Sequence, residues 1–403
     1  MTSRLVVTAA TAPGDRGREF GRARAEQVRA SWRGYLRFFE AGGLFGREQI
    51  EGWGDEALAA SSAWAPDLGE EIEGIAAGAG LTPEAVGALN ARTELLARVA
   101  RHARAELPSF PAIYGRKARK GERGECSVLV ALEAEGGPLG AQTWDWHEEL
   151  AATWLVWGFE TAAGMRLQTL TEAGMLAKIG VNSAGIAVLL NVLHHDDDAA
   201  VPLGVPIHVL LRRLLAESET IFDAVRILAA APVAASSAVT LIAAEGGEET
   251  ALTAELRPGA KPEYVLPDEA GLLAHTNHFL SPAAVPGDRE PTIGPDSLFR
   301  LELLRRRAAR LRGTHPGTDE LLAPFHSHLG RGGAICCHPE PGAPSGERYM
   351  TLATVVVDPL AGRLRFAAGG PCEAGESGWT EVTASVPTRH NQQDKEALDV
   401  RTH

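Results

Sequence analysis

The chain of 403 residues contains little cysteine and no long apolar run. Its cysteines match neither a disulfide framework nor the spacing of a zinc motif, so a reducing compartment is the simpler expectation, and no metal or cofactor is predicted. Because the N-terminus has no apolar stretch, we expect neither a signal peptide nor a membrane span, and a cytoplasmic location. The four cysteines are Cys126, Cys336, Cys337 and Cys372.

Basic residues are also fewer than acidic ones. The sequence has 39 Lys and Arg against 52 Asp and Glu, which gives a net charge of −13. Non-specific nucleic-acid binding needs a basic face, so a nucleic-acid partner is not expected. The apolar fraction of 45% is ample for a buried core, and the charged fraction of 23% is ordinary for a soluble protein.

Apolar periodicity predicts helices at the start of the chain and mainly short strands afterwards. Residues 18–40 have the pattern of one helix, and Thr82 and Pro83 supply the cap and first turn of another that runs to about residue 101. Antiparallel sheets stacked with helices outside them satisfy the layer rule, which predicts an α+β sandwich. Later helices are predicted over residues 206–217, 220–230 and 298–311.

A β-hairpin is predicted around the first cysteine. Residues 127–133 are rich in β-formers, and residues 139–144 can pair back across a Gly-Gly turn. Cys126 heads the first strand and Asp145 ends the second, so their Cβ atoms would lie about 4.5–5.5 Å apart if they were directly opposed. A thiol beside an acid suits nucleophilic chemistry, whereas a buried cysteine near a surface acid is the alternative interpretation.

Five stretches of the sequence occur in an order that is specific as a set, although each is weak alone. They are Asn90-Ala91-Arg92-Thr93-Glu94, Glu125-Cys126-Ser127, Gln142-Thr143-Trp144-Asp145-Trp146, Asn182-Ser183-Ala184-Gly185-Ile186-Ala187-Val188 followed by Asn191, and His275-Thr276-Asn277-His278. Together they resemble the penicillin (isopenicillin-N) acyltransferase family, whose members are autoproteolytic N-terminal-nucleophile cysteine enzymes.

The resemblance implies the four-layer αββα sandwich of the N-terminal-nucleophile hydrolase fold, and a precursor that cuts itself between Glu125 and Cys126. Residues 1–125 would then be an N-terminal helical segment, and residues 126–387 the catalytic core of a self-cleaved heterodimer. The polar tail over residues 388–403 is expected to be disordered. Cys126 would become the nucleophile, with its own α-amino group as the base.

The same resemblance implies roles for further side chains. Asp145 would hold the amino group, and Arg348 would orient Asp145 or the nucleophile. Asn277 and Asn191 would supply donors for a tetrahedral oxyanion. The expected substrate-binding residues are Ser236, Trp144 and Trp146.

The expected reaction is cleavage or transfer of an acyl group at a C–N amide bond, through a thioester on the cysteine. The partner would be a small-molecule amide or acyl donor, with acyl-coenzyme A as one candidate, and the acceptor would be water or an amine. The sequence departs from the penicillin enzyme at Glu125, where that enzyme has glycine, and at His147, Glu148 and Glu149. The penicillin substrate is therefore not implied.

The sequence alone leaves three alternative interpretations of the protein's function open. A metal-dependent hydrolase could use His194, His195 and Asp196, with His326-Ser327-His328 as a second cluster. Adjacent histidines on an extended chain point opposite ways, however, and no His-Glu-x-x-His helix occurs. A non-catalytic binding protein of the same fold would keep an inert thiol at Cys126. The third is redox chemistry at Cys336 and Cys337. A disulfide between adjacent residues is strained, which disfavours this interpretation.

Overall fold

Two stacked β-sheets form the centre of the protein, seen in a computed structural model that describes residues 4–40, 43–106, 126–330, 334–344, 348–384 and 400–402. The strands are β1 (Leu5–Val7), β2 (Ser127–Ala131), β3 (Leu139–His147), β4 (Trp154–Glu160), β5 (Arg166–Glu172), β6 (Ile179–Asn182), β7 (Ile186–Val192), β8 (Ser237–Glu245), β9 (Glu248–Leu256), β10 (Glu263–Val265), β11 (Leu272–His275), β12 (Tyr349–Asp358), β13 (Arg363–Ala368), β14 (Thr380–Thr383) and β15 (Val400–Thr402). The first sheet has the order β1-β4-β5-β6-β7-β8-β9-β10, and the second has the order β11-β2-β3-β12-β13-β14-β15. Among these described strands, the neighbours are antiparallel except for β1 with β4.

Helices cover the outer faces of both sheets. They are α1 (Pro13–Ala23), α2 (Ala25–Glu40), α3 (Arg47–Trp64), α4 (Pro66–Ala79), α5 (Pro83–Asn90), α6 (Arg92–Glu106), α7 (Ile207–Glu217), α8 (Ile221–Ala230), α9 (Glu290–Ile293), α10 (Asp296–Ala308), α11 (Thr318–Leu322) and α12 (Pro371–Ser377). Helices α7 and α8 pack on the first sheet, and α10 and α11 pack on the second. Strands β12 and β13 face β5 and β6 across the middle. The α+β, four-layer αββα sandwich expected from the sequence is therefore confirmed.

Strand β2 is buried on both of its faces. Val128 and Val130 belong to the core between the sheets, whereas Leu129 and Ala131 join a second core beneath α10 and α11. Successive side chains of a strand point to opposite faces, so even-numbered residues of β2 face the first sheet and odd-numbered residues face the helices. This alternation decides which way the side chain of Cys126, just before the strand, is directed.

The N-terminal helices are shorter than their apolar pattern predicts. The single helix expected over residues 18–40 is divided at Arg24, and the helix that begins at Pro83 is divided at Ala91. A break of one residue leaves the spacing of the apolar face almost unchanged, so periodicity does not reveal it. The capping prediction is confirmed, because the Thr82 hydroxyl accepts a hydrogen bond from the Ala85 amide at 3.2 Å.

Two predictions concern segments near the ends of the described ranges. Glu125 and the loop that leads to it lie outside the described residues. Within the tail predicted to be disordered, Val400–Thr402 pairs as strand β15 with β14, which needs no apolar side chains. The rest of residues 388–403 lies outside the described residues, so the prediction for it stays a prediction. Among the described residues, no helix is both long and apolar enough to cross a membrane.

Helices α1 and α4 approach each other closely because glycines lie at their interface. A Cβ added at any of these glycines would lie 2.2–2.4 Å from a carbonyl oxygen of the facing helix, which is far inside ordinary contact. The close approach lets Arg16 of α1 pair with Glu71 of α4 at 2.8 Å, and Glu71 also lies 3.4 Å from Arg212 of α7. The N-terminal helices are thus joined to the layer that covers the first sheet. The glycines are Gly17, Gly21, Gly74 and Gly78.

We predict that Gly17→Ala destabilises the protein although alanine is the better helix former. Its Cβ would lie 2.2 Å from the Glu71 carbonyl oxygen, and overpacking of this kind costs about 1–3 kcal/mol. Gly52→Ala in α3 is the matched control, because nothing lies within 4 Å of its added Cβ, and it should gain about 0.5–1 kcal/mol. Urea unfolding of both variants measures the difference, and equal stabilities would contradict the packing argument.

Candidate active site

Cys126 is buried immediately before strand β2, and its side chain faces the first sheet. It belongs to the same core as Val128 and Val130. In the β2–β3 register Ser127 lies opposite Thr143, so the next position along places Cys126 opposite Trp144. The direct opposition of Cys126 and Asp145 considered from the sequence is therefore wrong by one residue.

Asp145 lies on the other face of the second sheet. It is 1% exposed and sits opposite Thr351 of β12. Burial raises the pKa of the nearby Cys337 thiol, and the charge of Asp145 raises it further. Because β2 and β3 run in opposite directions, Asp145 lies beyond the position opposite Cys126, toward the side from which the chain enters Cys126. The Asp145 side chain is thus on the face opposite to the Cys126 sulfur, and one register position toward the amino side of Cys126.

The main chain of Cys126 is held from two directions. Its carbonyl oxygen accepts a hydrogen bond from Asn191 Nδ2 at 2.8 Å and another from Arg300 Nη1 at 3.2 Å. Asn191 reaches across from β7 of the first sheet, whereas Arg300 comes from α10 on the outer face of the second sheet. Two buried donors from separate layers therefore fix the orientation of this residue.

Arg300 is a buried residue beside Cys126 that the sequence did not reveal as part of the candidate site. Its guanidinium group is buried and pairs with Asp296 at 3.0 Å. It also donates to Ser127 Oγ and to Asn277 Oδ1, each at 3.1 Å. An Asp–Arg pair at i,i+4 on the same buried stripe as Leu304 is the signal that could have identified it.

Asn277 lies beside Arg300 and is fully buried. Its Nδ2 donates to the Val192 carbonyl oxygen at 2.9 Å, and its backbone amide donates to Ser297 Oγ at 2.8 Å. An amide nitrogen carries two hydrogens, and the bond to Val192 uses one of them. Asn191 and Asn277 therefore both lie near Cys126. Asn191 bonds to its carbonyl oxygen directly, and Asn277 is linked to the same oxygen through Arg300.

Arg348 does not occupy the place that the sequence prediction assigned to it. Its Nε lies 2.8 Å from the Glu148 carboxylate, and both side chains are more than a third exposed. Arg348 directly precedes β12 and lies at the surface end of the second sheet, where it pairs with Glu148. The buried arginine next to the candidate nucleophile is Arg300.

A charged cluster occupies the core on the thiol side of Cys126. Lys178 pairs with Glu172 and lies 4.0 Å from the ring centroid of Trp144. Burial and the charge of Arg92 lower the pKa of Lys178 to about 7, and a charge on Cys126 is close enough to act on it. Burial alone would raise the pKa of Glu172, but Lys178 and Arg92 hold it below its ordinary value.

A narrow cleft opens beside this cluster. It offers about 10 Å³ of space to water-sized molecules, which is close to the room for one water. Trp146 lines it, with the Arg92 guanidinium 4.5 Å from the ring centroid. The lining residues are Arg92, Thr93, Leu96, Ala97, Trp146, Val192, Leu193, His194 and Ala235. In this structure the cleft therefore has no room for more than a water-sized molecule.

The other two predicted substrate-binding residues are placed differently from Trp146. Trp144 is in the core and packs edge-on against Trp154. Ser236 is buried, and its hydroxyl donates to Asp198 Oδ1 at 2.6 Å. Asp198 also accepts from the His195 amide at 2.8 Å. Ser236 thus holds a loop behind the cleft, while its neighbour Ala235 reaches the cleft itself.

The residues of the alternative metal-dependent hydrolase do not converge. His195 Nε2 is 3.0 Å from the Pro286 carbonyl oxygen, and its Nδ1 accepts from the Asp197 amide at 3.1 Å. Asp196 is turned to Arg289 at 2.8 Å. In the part of the chain that the structure describes, the one group of three or more possible metal ligands lies elsewhere. His194, His195 and Asp196 therefore do not form one metal site in this structure, because both ring nitrogens of His195 are hydrogen-bonded and Asp196 is paired with Arg289.

Glu94, from the first of the five sequence stretches, is buried behind the cleft. Its Oε1 accepts a hydrogen bond from the Ile207 amide at 2.9 Å, which caps the start of α7. Burial raises the pKa of this carboxyl to about 7. The hydrogen bond from Ile207 and the charge of Arg92 act in the opposite direction, and the charge of Asp198 adds to the increase.

Comparison with known proteins identifies the class to which this site belongs. Residues 132–373 match the acyl-coenzyme A:6-aminopenicillanic acid acyl-transferase family. The match covers more than half of the chain and includes Asp145, Asn191, Asn277 and Arg300, and it begins just after Cys126. The chain therefore belongs to this family of acyl-transferring enzymes.

One curated relative is the acyl-coenzyme A:6-aminopenicillanic-acid-acyltransferase 40 kDa form of Emericella nidulans. It is 30% identical over 259 residues, which cover 64% of this chain and 63% of the relative. The matched region thus spans less than two thirds of that enzyme's length.

Two solved structures are similar at lower levels. The Caenorhabditis elegans ortholog of N-acylethanolamine-hydrolyzing acid amidase has a TM-score of 0.44 and 14% identity, over 58% of this chain and 93% of that chain. Penicillin V acylase from Agrobacterium tumefaciens has a TM-score of 0.42 and 15% identity, over 68% of this chain and 97% of that chain. The substrates in these names belong to those proteins.

We predict that Glu94 makes the stability of the protein pH-dependent. Its folded pKa of about 7 exceeds the value of about 4.3 in an unfolded chain. The folded state therefore keeps a proton that the unfolded chain loses, and the free energy of unfolding should fall by up to about 3 kcal/mol as pH rises from about 4 to above 7.

Glu94→Gln keeps an oxygen for the Ile207 amide but cannot ionise. Its stability relative to the original protein should increase between pH 5 and pH 8, as measured by urea unfolding at each pH. Glu70→Gln, at an exposed position on α4, is the control and should show no such trend. Parallel stability curves for Glu94→Gln and the original protein would contradict the raised pKa.

Proposed function

We propose that the protein is an autoproteolytically activated cysteine enzyme that cleaves or transfers an acyl group at an amide bond. Cys126 would be its N-terminal nucleophile after cleavage between Glu125 and Cys126. The observation that supports this most is the arrangement around Cys126, where Asn191 and Arg300 grip one carbonyl oxygen at 2.8 and 3.2 Å. Neither contact is needed to bury a structural cysteine, whereas a nucleophile requires a fixed orientation.

Cleavage would place an amine and a thiol on the same residue. An α-amino group has a pKa of about 7.7–8.0 and a free thiol about 8.5, so the amine can take the thiol proton near neutral pH. The thiolate then attacks the acyl carbonyl, and the amine returns the proton to the leaving nitrogen. Asp145, on the amino side of Cys126, would hold the resulting ammonium group.

Acyl transfer then proceeds through a thioester on Cys126. Attack by sulfur gives a tetrahedral oxyanion, and expulsion of the amine leaves the acyl group on sulfur. Water or a second amine attacks the thioester carbonyl and releases the thiolate, so hydrolysis and transfer differ only in the acceptor. Asn277 would donate its second N–H to the oxyanion, and Arg300 positions that amide through its 3.1 Å contact.

The substrate class we propose is a small-molecule amide or acyl donor, with acyl-coenzyme A among the candidates. Support comes from the family and from the cleft, which combines apolar Leu96 and Trp146 with cationic Arg92. Such a lining suits a short acyl group whose polar end meets the guanidinium. The relative's penicillin acceptor does not carry over, because Glu148 and Glu149 follow the hairpin here.

We predict that the purified protein is cut between Glu125 and Cys126 into chains of residues 1–125 and 126–403 that stay associated. Denaturing mass spectrometry and N-terminal sequencing measure this. Cys126→Ala should remain uncut and inactive, because no nucleophile is left. Cys126→Ser can retain part of the self-cleavage or of the turnover.

Asp196→Asn is the matched control for the nucleophile, because this exposed residue belongs to the metal alternative; it should be processed and active as the original is. Activity is followed as acyl transfer from an acyl-coenzyme A to amines, and as release from acyl p-nitroanilides. Intact chains in active enzyme would contradict self-cleavage, and turnover by Cys126→Ala would contradict the nucleophile.

We predict that Asn277→Ala lowers kcat by about 10²–10³, the size of a lost oxyanion donor, with little change in KM. Asn182→Ala is the control, because Asn182 is equally buried but bonds to the Leu215 and Ser218 carbonyl oxygens at 3.0 and 2.9 Å. That variant should lose stability and keep its kcat per folded molecule. An Asn277→Ala variant with reduced melting temperature and unchanged kcat would contradict the oxyanion role.

A further inference from the structure

Four metal-ligating side chains meet at the end of the second sheet, away from the thiol of Cys126. They come from three separate segments of the chain: the turn after α11, the segment before β12, and the start of α12. One ligand atom of each lies within 4.8 Å of all the others. The four residues are His328, Cys336, His338 and Cys372.

Four of the six distances between these atoms are close to the edges of a tetrahedral zinc site, and the other two are within 4.8 Å. Cys336 Sγ is 3.5 Å from Cys372 Sγ and 3.5 Å from His338 Nε2. His338 Nε2 is 3.2 Å from Cys372 Sγ and 3.3 Å from His328 Nε2. Bonds of about 2.3 Å to sulfur and 2.0–2.1 Å to nitrogen around one zinc ion put tetrahedral ligands about 3.3–3.8 Å apart. The observed edges fall within or next to this range.

We propose that His328, Cys336, His338 and Cys372 bind one Zn²⁺ ion. Two thiols and two imidazoles form a Cys₂His₂ set, which is typical of structural zinc. Binding would release the two thiol protons to solvent, and the two thiolates would balance the charge of the ion. Four protein ligands leave no open position, so the ion would stabilise the fold and would not activate water.

Neighbouring groups support the assignment. His338 Nδ1 faces Glu373 Oε1 at 3.5 Å, which is the carboxylate–histidine arrangement that orients a metal-bound ring. The Gly370 amide donates to the other oxygen of Glu373 at 3.2 Å. A Cβ at position 370 would lie 2.6 Å from Cys336 Sγ, so a glycine is needed for the sulfur to reach its place.

A disulfide between Cys336 and Cys372 is the competing interpretation. It would consume both sulfurs but would not explain why His328 and His338 direct their Nε2 atoms toward the same point. A hydrogen bond between the two rings would account for their 3.3 Å separation, but not for the two sulfurs that lie 3.5 and 3.2 Å from His338 Nε2. The four-ligand site accounts for all of these side chains at once.

The proposed ion would hold the part of the fold that borders Asp145. The backbone of Cys337, next to ligand Cys336, exchanges bonds with Thr351, whose Oγ1 accepts from the Cys337 amide at 3.1 Å. Thr351 lies directly opposite Asp145 in the sheet. The ion would therefore tie α12 and the segment before β12 to the face on which Asp145 lies.

The sequence does not reveal this set of four ligands. His328 stands there with His326 in the second cluster of the metal alternative, and Cys336 stands beside Cys337. The fourth ligand, Cys372, is far along the chain, so no short spacing motif arises. A backbone bond from the Cys336 amide to the Ser327 carbonyl oxygen at 3.0 Å brings the first two segments together.

The test is the zinc content of the full-length protein, purified under reducing conditions with zinc in the medium and passed through gel filtration. Mass spectrometry of the metal should find one zinc per chain. Cys372→Ser and His328→Gln should each lose it, while Cys337→Ala, a neighbouring cysteine that is not a ligand, should retain it. Circular dichroism confirms that each variant is folded before its metal content is read.

Cobalt substitution adds a second measurement. Co²⁺ in the apoprotein should show the intense visible bands of a tetrahedral thiolate site, and Cys372→Ser should lack the thiolate bands. A folded, metal-free protein that binds neither zinc nor cobalt would overturn the proposal. A Cys336–Cys372 disulfide that persists after purification under reducing conditions would also overturn it. So would a zinc content that Cys372→Ser and His328→Gln leave unchanged.

Discussion

The buried guanidinium group of Arg300 is the interaction on which the candidate active site depends. Removing an ion from water costs several kcal/mol, so it is tolerated only when a countercharge and further hydrogen bonds satisfy it. Asp296 supplies the charge at 3.0 Å. Three further hydrogen bonds go from the guanidinium group to the Cys126 carbonyl oxygen, Ser127 Oγ and Asn277 Oδ1. Because one rigid planar group makes these contacts, the main chain of Cys126 and the proposed oxyanion donor Asn277 cannot move independently.

The N-terminal helices are built into the same core. Tyr35 of α2 donates to Glu172 at 2.6 Å, and Asn90 of α5 exchanges hydrogen bonds with the loop after β5, through Gly174 and Leu176. Strand β1 pairs with β4. Cutting the chain before Cys126 would break one peptide bond and none of these contacts. Self-cleavage would thus expose an amino group without separating the two segments.

Features that depend on neighbours in the chain could be predicted from the sequence, and features that depend on how layers meet could not. The order of helices and strands, the Thr82 cap and the gathering of Asn191 and Asn277 near Cys126 follow from local patterns and the ordered motifs. The face on which Asp145 lies depends on a register of one residue. Arg300 could not be told from a solvated arginine, because its partners come from other layers.

The thiol of Cys126 and the carboxylate of Asp145, which the proposed chemistry must couple, lie on opposite faces of the second sheet. The thiol of Cys126 faces a core with Lys178, Arg92 and Glu172, whose summed charge is positive when the lysine is protonated, and positive charge beside a thiol favours the thiolate. Asp145 lies on the opposite face, on the amino side of Cys126, where a carboxylate favours an ammonium group. A proton that leaves sulfur for the new N-terminal amine would therefore move toward the carboxylate and away from the cations. The cations beside the thiol and the carboxylate beside the amine both favour proton transfer from sulfur to nitrogen. Because the amine of Cys126 would itself be the base, no histidine partner is needed.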